Sequence, residues 1–462
     1  MNRRRCAVAI LAASVCVHPA LADGVRLLFG GDVMPARGVE AEAAGGRTTP
    51  LRDLHIPGPY DLFMANLEGA AGRAADCVPA PRDPCLAIPD NGFRLLEGSG
   101  IGALSLANNH AGDTGAEGRR RTAAALEAIG IVPVASSEQP AFIRAGGLTV
   151  GIVALNMVPP RDQPPDIVPS PEVARRIRLA AAFSDVAVAF VHWGAELRDW
   201  PQPSQQATAQ WLVAQGVDLI VGAHPHVAIA PDCPGGVPVF WSLGNLVFDQ
   251  ADPESRRGMI ADCRVWGGVL ACSAIATGNA PGSSFPHVAG AEQHEVPACR
   301  RRLSHGIEAA GQKLRANTSL HGAMTIDGYA ANRRVWSVPV RAAVVSAALA
   351  ELSPGEPASL VMLQRAPSRI DGEDGLRVFV YRIGPRGLEP RWRGSALGWP
   401  LDDIHIQSGN PDLVCGLHRT DSFLTPDAAA RAHRVAAWRW NGFGFSLDEA
   451  DAASCQARAE HR

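Results

Sequence analysis

Between Val25 and about Asp249, short apolar runs alternate with longer segments of helical composition. The apolar runs are rich in residues that favour strands, and they are VRLLF, ALSLA, TVGIVAL, VAVAFV, VDLIV and VPVFWSL. The segments between them are rich in Ala, Leu, Gln and Glu, and include GAEGRRRTAAALEAIG, PEVARRIRLAAAF and PSQQATAQWLVAQG. Because nearly continuous apolar strands must be covered on both faces, this alternation predicts an α/β layered fold.

The pattern changes after residue 272. Residues 273–330 are rich in Gly, Ser and Ala with scattered charge, which predicts an irregular linker or extension. Further on, residues 360–390 resemble residues 413–447, since each contains a strand-like run, a polar loop, Arg-Val, two residues, an aromatic residue and Arg. A repeat of about 50 residues indicates a duplicated β unit. We therefore predict an α/β domain over 23–272 and a smaller β-rich domain with an internal duplication over 331–462.

The first 22 residues are typical of a secretory signal peptide. They have a basic start, an apolar run from Cys6 to Val17, and Ala-Leu-Ala before Asp23. This predicts cleavage after Ala22 and a periplasmic or secreted protein. The apolar run is too short for a membrane span, and no later stretch is long enough, so we expect no transmembrane segment after cleavage.

Composition and cysteine number refine this view. With 462 residues, 19% charged residues and a net charge of -3, the chain is expected to be a soluble globular protein that does not bind nucleic acid. Two of its ten cysteines lie in the predicted signal peptide, and the remaining eight form no zinc-type pairs. An even number in an exported chain predicts disulfides, with Cys77 and Cys85 as the best local pair.

Polar side chains follow most of the predicted strands. A single Asp or Asn there is typical of a helix cap or turn, and a single His is commonly a buried structural residue. Their joint occurrence predicts one site, because ligands bind at the carboxyl ends of the strands in an open α/β sheet. These residues are Asp32, Asn66, Glu68, Asn108, Asn109, His110, Asp113, His192, Glu196, His224, His226 and Asn245.

The residue types fit a dinuclear hydrolytic metal centre. Two cations about 3.5–4 Å apart need a bridging carboxylate, further oxygen and nitrogen ligands, and open positions for water and substrate. Asp32 and Glu68 are the available bridging groups. The two histidines of HPH, residues 224–226, are expected to project the same way from an extended segment. This ligand set suits Mn, Fe or Zn.

Several of these residues lie in blocks that resemble a known family. Residues 25–249 are similar to the CapA family of poly-γ-glutamate capsule biosynthesis proteins, which are related to calcineurin-like metallophosphoesterases. The blocks that carry the resemblance are GDVMPARG, NLEG, NNHAGDTG, HWGAE, GAHPHV and SLGNLVFD. The resemblance implies a four-layer αββα metallophosphoesterase-like domain, and it does not cover the duplicated C-terminal region.

The resemblance also implies roles for individual residues. Asp32, Glu68 and His226 would hold one metal ion, and Glu68, Asn109, His192 and His224 would hold the other. His110 would be a general acid or a hydrogen-bond donor to the transition state, oriented by Asp113. The predicted substrate-binding residues are Arg37, Asn66, Glu196 and Asn245, with Glu196 alternatively supporting a ligand. Met34 stands where the wider phosphoesterase pattern has a His, so the first metal site would be weak, completed by water or empty.

Three functions remain open from the sequence. The first is a metal-dependent hydrolase acting on a phosphoester or on a γ-glutamyl or peptide bond of an envelope polymer. The second is a non-catalytic component of capsule biosynthesis that binds the polymer or helps to assemble it. The expected partners are an envelope polymer or a small anionic substrate, and other capsule-synthesis proteins. The third is an enzyme that uses the same histidines and carboxylates for acid–base chemistry without metal.

Overall fold

The computed structural model describes residues 24–45, 49–79, 84–367, 374–394, 397, 401–419 and 433–459, with the side chains of 290–298, 419, 433 and 456–459 left out. The predicted signal peptide and the polar loops of both repeat copies lie outside the described residues. In the first part of the chain the elements are β1 (Val25–Val33), α1 (Gly38–Ala44), β2 (Leu62–Leu67), β3 (Ala70–Ala71), β4 (Ala87–Ile88), α2 (Asp90–Arg94), β5 (Ala103–Ser105), α3 (Gly115–Ala128), β6 (Val132–Val134), β7 (Ala141–Ala145), β8 (Leu148–Asn156), α4 (Pro171–Phe183), β9 (Val186–His192), α5 (Pro203–Gln215), β10 (Leu219–Ala223), β11 (Ala228–Ile229), β12 (Val239–Phe240), β13 (Ser242–Leu243) and β14 (Asn245–Val247).

The rest of the described chain is almost entirely strand. Its elements are β15 (Arg257–Trp266), β16 (Val269–Asn279), β17 (Pro286–Arg302), β18 (Ile307–Ala309), β19 (Gln312–Thr318), β20 (Met324–Ala330), β21 (Arg333–Val340), β22 (Ala343–Ala350), β23 (Ser359–Pro367), β24 (Asp374–Gly384), β25 (Gly387–Arg393), β26 (Leu401–Gln407), β27 (Leu413–Arg419), β28 (His433–Trp440), β29 (Phe445–Leu447) and α6 (Ala452–Ala459).

Two sheets organise the α/β region. The first has the order β17-β16-β15-β1-β2-β5-β6, with β14 also paired to β1. Its strands β1, β2, β5 and β6 are parallel, whereas β15 is antiparallel to β1. The second sheet has the order β12-β10-β9-β8-β7, and all but β7 are parallel. In each sheet the parallel strands therefore bring their carboxyl ends to one edge.

The central strands β1, β2, β8, β9 and β10 bury side chains on both faces. Phe29 and Met64 of the first sheet share one buried cluster with Phe190 of the second, so this core lies between the sheets. The opposite face of the first sheet packs against α3, and that of the second against α4 and α5. This double coverage explains the nearly continuous apolar runs, and the prediction of an α/β fold is confirmed.

The prediction of an irregular connection over 273–330 is wrong. Strands β16 to β20 occupy much of this segment, and the predicted boundary after residue 272 falls inside β16. Strand β16 is rich in small residues, and this composition led to the prediction of an irregular segment. Cys272 and Ala274 are nevertheless buried in the core between the sheets. Strand β16 pairs with β15 on one side and β17 on the other, and such a strand accepts small side chains that have a low intrinsic preference for strands.

The C-terminal part is β-rich, as predicted. Strands β18 to β21 form a four-stranded antiparallel sheet, and β22 to β29 form an eight-stranded sheet. The two similar sequence segments occupy equivalent hairpins, since β23 pairs with β24 and β27 pairs with β28. Strands β24 and β26 join the two copies through the pairing of Leu376 with Leu401.

The β-rich part packs directly on the α/β region. Phe142, Leu179 and Phe183 lie in one buried cluster with side chains of β19, β22 and β23. A buried ion pair lies beside this cluster, with Arg315 Nη2 at 2.9 Å from Asp185 Oδ1. Helix α4 is thus covered by the second sheet on one side and by the β-rich part on the other.

The eight cysteines outside the predicted signal peptide all form disulfides, as predicted. The pairs are Cys77–Cys85, Cys233–Cys299, Cys263–Cys272 and Cys415–Cys455. Among the described residues, no helix combines the length and the apolar character needed to cross a membrane.

Candidate metal centre

The predicted site residues come together where the two sheets end. Asp32 lies near the end of β1, and Glu68 directly follows β2. His192 ends β9 in the second sheet, and the HPH segment follows β10. Parallel strands place these carboxyl ends at one edge, so side chains distant in sequence become neighbours.

Two groups of potential ligand atoms share Glu68. One group is Glu68, His192 and His224, and the other is Asp32, Glu68 and His226. Within each group the candidate atoms all lie within 4.8 Å of one another. The arrangement suits two cations with Glu68 between them.

Glu68 is fully buried, and neither of its carboxylate oxygens has a hydrogen-bond partner in the described structure. Its Oε1 lies 3.7 Å from Nε2 of His226 and 3.9 Å from Nε2 of both His110 and His192. Burial, reinforced by the charge of Asp32, raises the pKa of Glu68 to about 8. A buried carboxylate without hydrogen bonds is costly unless a cation compensates it, which is what a bridging metal ligand requires.

His226 is oriented by two oxygens. Its Nδ1 lies 2.9 Å from Oδ1 of Asn245 and 3.3 Å from Oδ2 of Asp32, so Nδ1 carries the proton and Nε2 is directed at Glu68. Burial lowers the pKa of His226, but the charges of Glu68 and Asp32 and these hydrogen bonds outweigh it and raise the pKa to about 10. In the absence of a cation, the group formed by Asp32, Glu68 and His226 therefore retains protons that a metal ion would displace.

His192 and His224 differ from His226 in their charge state. Burial and the neighbouring histidines lower the pKa of His224 to about 4 and that of His192 well below its usual value. Both are thus neutral imidazoles, the form that binds metals. Their rings lie 4.7 Å apart, and His192 Nε2 is 2.8 Å from Oδ1 of Asn109. In the described structure, Nδ1 of His224 has no hydrogen-bond partner.

The backbone of the HPH segment is not extended, which corrects our expectation. His224 and His226 have φ angles of 98° and 59°, in the left-handed region that residues other than glycine rarely occupy. Both rings still reach the site, but through a strained turn. Such strain is commonly found at functional sites.

His110 lies beside the shared carboxylate. Its Nδ1 is 2.8 Å from Oδ2 of Asp113. Burial lowers the pKa of His110, but the hydrogen bond to Asp113 and the charge of Glu68 outweigh it, so the pKa is raised. Asn108 fixes the local backbone, because its Oδ1 accepts a hydrogen bond from the His110 amide at 3.1 Å.

Comparison with known proteins places this site in a family. Residues 26–250 match the family described as "Bacterial capsule synthesis protein PGA_cap". The chain belongs to this family through residues 26–250. All the predicted metal ligands of this family member lie within residues 26–250. Strands β15 to β29 lie outside the matched segment.

Curated relatives carry names from the same area of biology. The chain is 28% identical to the PGA biosynthesis protein CapA of Bacillus subtilis over 51% of this chain and 66% of that protein. It is 30% identical to the capsule biosynthesis protein CapA of Bacillus anthracis over 36% of this chain and 44% of that protein. A "Probable polyglutamine synthesis accessory protein" of Mycobacterium tuberculosis is 26% identical over 49% of this chain and 75% of that protein. The chain thus covers less than two thirds of either Bacillus relative.

The four residues predicted to bind substrate fall into two pairs. Asn66 and Asn245 are buried behind the ligands, where Nδ2 of Asn66 donates to Oδ1 of Asp32 at 2.8 Å. Arg37, in contrast, is 41% exposed and lies over the Phe248 ring, with its guanidinium paired to Asp249.

Glu196 resembles Arg37 in its position. It is exposed on the loop after β9, and that loop is tied to the HPH segment because the Leu197 amide donates to the Pro225 carbonyl at 2.9 Å. Arg37 and Glu196 are therefore the members of the predicted set that a substrate could reach from solvent.

Two neighbours of the site are absent from the sequence-based prediction. The Phe248 ring lies 5.0 Å from that of His226, and the SLGNLVFD block was the signal that could have included it. Arg161 places Nε 2.8 Å from Oδ1 of Asp113. Arg161 lies in a Pro-rich loop far from every motif, so no sequence signal pointed to it.

Met34 is fully buried beside β1. Its amide donates to the Val247 carbonyl at 2.8 Å, so this residue joins the β1 end to β14. The group formed by Asp32, Glu68 and His226 thus offers three potential ligand residues, and Glu68 is shared with the other group.

Proposed function

We propose that this chain is a metal-dependent hydrolase with two divalent ions, Mn, Fe or Zn, at the candidate metal centre. One ion would be held by Asp32, Glu68 and His226, and the other by Glu68, Asn109, His192 and His224. The observation that carries the proposal is the buried Glu68 carboxylate, which is common to both ligand groups and has no hydrogen-bond partner among the described residues. We propose further that the two sheets and their helices form the αββα layout of metallophosphoesterases.

The donor set fits such ions. Carboxylates, neutral imidazoles and an amide oxygen match borderline divalent metals, and thiolates play no part because all eight described cysteines are in disulfides. When bound, such ions supply Lewis acidity that polarises the scissile bond and lowers the pKa of water. Two supporting contacts would hold the ligands in place, from Asn245 to His226 and from Asn66 to Asp32.

The protein itself supplies a proton and a binding edge. His110 has a raised pKa and directs Nε2 toward the shared carboxylate, so we assign it as the general acid that protonates the leaving group, with Asp113 fixing its ring. The exposed guanidinium of Arg37 would meet an anionic group of the substrate, and Glu196 would contact the substrate from the loop after β9.

The biological context we propose is capsule, poly-γ-glutamate or related envelope polymer metabolism. It is supported by family membership and by the names of the relatives. The scissile bond would be a phosphoester, or a γ-glutamyl or peptide bond of that polymer. The signal-like N-terminus and the four disulfides support export to the periplasm or beyond the cell.

A non-catalytic role in polymer binding or assembly is the second candidate. It is favoured by the name of the mycobacterial relative, which describes an accessory protein. It is also favoured by Met34, which leaves the Asp32 group with one imidazole. In this role the protein would hold polymer beside other capsule-synthesis proteins.

Metal content and hydrolysis test the proposal together. Wild-type protein purified with Mn, Fe or Zn should contain two equivalents of metal by mass spectrometry. It should hydrolyse either a phosphodiester or a γ-linked glutamate oligomer. His226→Ala should lower turnover more than about a hundredfold, because it removes several kcal/mol of transition-state stabilisation. His321→Ala, which removes a surface histidine that is 76% exposed, is the matched control and should match wild type.

The outcomes separate the candidates. Two equivalents of metal with no turnover on either substrate would favour the binding role. Equal turnover by wild type and His226→Ala would rule out catalysis at this centre. Failure to bind two equivalents of any of the three metals would rule out the dinuclear arrangement.

A further inference from the structure

The disulfide Cys77–Cys85 lies behind the site rather than at a distant surface. The residue after each cysteine bonds to Asp113. The Val78 amide donates to the backbone carbonyl of Asp113 at 2.8 Å, and the Leu86 amide donates to its carboxylate Oδ2 at 2.6 Å. Asp113 is therefore bonded to both ends of the disulfide-closed loop.

Arg161 completes the surroundings of Asp113. Its Nε lies 2.8 Å from Asp113 Oδ1, and its Nη1 donates to the Val78 carbonyl at 2.8 Å. Both partners of this ion pair are buried, at 7% and 0% side-chain exposure. Each carboxylate oxygen of Asp113 thus has a partner outside the histidine, because Oδ1 forms an ion pair with Arg161 and Oδ2 accepts a hydrogen bond from the Leu86 amide.

We infer that Arg161 is a positioning residue. Together with the Cys77–Cys85 disulfide, it immobilises Asp113 and so holds the His110 ring with Nε2 facing the shared Glu68 carboxylate. The inference rests on the proposed function for its effect on catalysis, but not for its effect on the orientation of His110. Arg161 contacts Asp113 and the Val78 carbonyl, so its effect on His110 is transmitted through Asp113.

The physical reason lies in the geometry of the guanidinium group. An aspartate side chain rotates about two bonds, and the hydrogen bonds from His110 and from the Leu86 amide both fall on Oδ2, so without Arg161 the other oxygen, Oδ1, is unrestrained. The planar guanidinium contacts Asp113 Oδ1 and the Val78 carbonyl at once, which a lysine ammonium at the end of a flexible chain does not reproduce. Loss of either Arg161 or the disulfide would therefore loosen Asp113 without removing it.

The direct test is nuclear magnetic resonance of protein labelled with ¹⁵N at histidine. Wild type should show a His110 Nδ1–H proton that is hydrogen-bonded and protected from solvent exchange. His110→Gln assigns the signal. We expect the signal to disappear in Arg161→Ala and to weaken in Arg161→Lys, which keeps the charge but not the two contacts. Arg26→Ala is the matched control, because it breaks a buried Arg–Asp pair with Asp262 at the other end of β1.

Metal content and turnover give a second reading. Arg161→Ala should retain the metal content of wild type. Its kcat should fall about 10–100-fold with little change in KM, as is typical of residues that orient another residue of the site without contacting the substrate. Thermal unfolding of each variant shows whether it is folded. If Arg161→Ala does not fold, the kcat and metal content of Arg161→Lys are compared with those of wild type instead.

The disulfide arm has its own control. Cys77→Ser/Cys85→Ser should weaken the His110 signal, and Cys415→Ser/Cys455→Ser should leave it unchanged. A His110 signal unchanged in Arg161→Ala would overturn the inference, as would equal weakening by the two disulfide variants. Loss of metal together with the signal would also overturn it, because it would show general distortion. If wild type neither binds metal nor turns over substrate, the proposed function fails while the orientation of His110 can still be measured.

Discussion

In the β-rich part, His405, Cys415 and Cys455 bring three potential ligand atoms within 4.8 Å of one another, as Glu68, His192 and His224 do at the end of the parallel strands. The two clusters look alike by distance and differ in chemistry. Two of the three donors in the β-rich cluster are joined in a disulfide, so they cannot act as thiolates. Glu68 instead has two buried oxygens with no hydrogen-bond partner in the described residues.

The difference shows that proximity of ligand types is not enough to identify a metal site. What distinguishes the α/β cluster is a fully buried carboxyl group, that of Glu68, whose two oxygens accept no hydrogen bond from the described residues. Glu68 also differs from His418 in the β-rich part, which accepts a hydrogen bond from the Trp438 indole at 2.9 Å. A buried carboxylate whose oxygens accept no hydrogen bond can take a cation as its partner, whereas a histidine bonded in this way has a structural role.

The largest expected effect follows from removing the charge of Glu68. Glu68→Gln should lose both metal ions, because the amide cannot bridge two cations. The metal-free variant should also be more stable than the metal-free wild type at neutral pH, by about 1–3 kcal/mol, since burial keeps Glu68 from the ionised state that it has in the unfolded chain and the amide pays no such cost. Metal analysis and urea unfolding in the presence of a chelator measure the two effects.

The matched control for Glu68→Gln is His405→Ala in the β-rich cluster, which should keep the metal content of wild type. If His405→Ala lost metal as Glu68→Gln does, the distinction between the two clusters would collapse. A chelated Glu68→Gln protein less stable than chelated wild type would show that the protein already compensates the Glu68 carboxylate.

The next effect concerns the β-rich cluster itself. Cys415→Ser/Cys455→Ser opens a disulfide that spans 40 residues, and should lower the free energy of unfolding by about 2–4 kcal/mol. Metal content should stay at the wild-type value. Denaturant unfolding followed by tryptophan fluorescence, with metal analysis on the same sample, measures both. Reduced metal content in this variant would mean that the β-rich cluster contributes a site.

The smallest effect tests a residue behind the ligands. Asn245→Ala removes the acceptor that orients His226 and should weaken metal binding about 10–100-fold, or about 1.4–2.8 kcal/mol, without abolishing it. Competition with a fluorescent chelator measures the affinity. Asn441→Ala in the β-rich part, which removes a turn-stabilising amide, serves as the control. If the metal affinity of Asn245→Ala equals that of wild type, Asn245 does not support the metal ligands, and the sequence-based prediction that it binds substrate would stand.

The sequence predicted most of the α/β region well, for a physical reason. Strands buried on both faces need nearly continuous apolar runs, and these were visible, so α4 was predicted at the bounds that the structure shows. The segment over 273–330 was missed because its strands use small and polar residues and obtain their stability from pairing with neighbours. Sequence periodicity does not record such pairing.

The sequence predicted which residues lie close together in the site better than it predicted their orientation and backbone conformation. Strand ends indicated which residues would meet, because parallel topology brings them to one edge. The sequence did not show that Asn66 and Asn245 face inward, that the HPH segment turns through left-handed conformations, or that Arg161 reaches Asp113. Each of these depends on how distant loops fold back onto the edge.

Strand β1, which carries Asp32, has its other edge covered by β15, a strand that begins after the family match ends at residue 250. A polypeptide cut at that point would contain all the predicted ligands yet leave the open edge of β1 ready to pair with another chain. It would also expose Phe142, Leu179 and Phe183, which the β-rich part now covers. The segment that carries the predicted ligands and the segment that covers its own strand edges and apolar side chains are thus different lengths of this chain, and we expect the shorter one to aggregate.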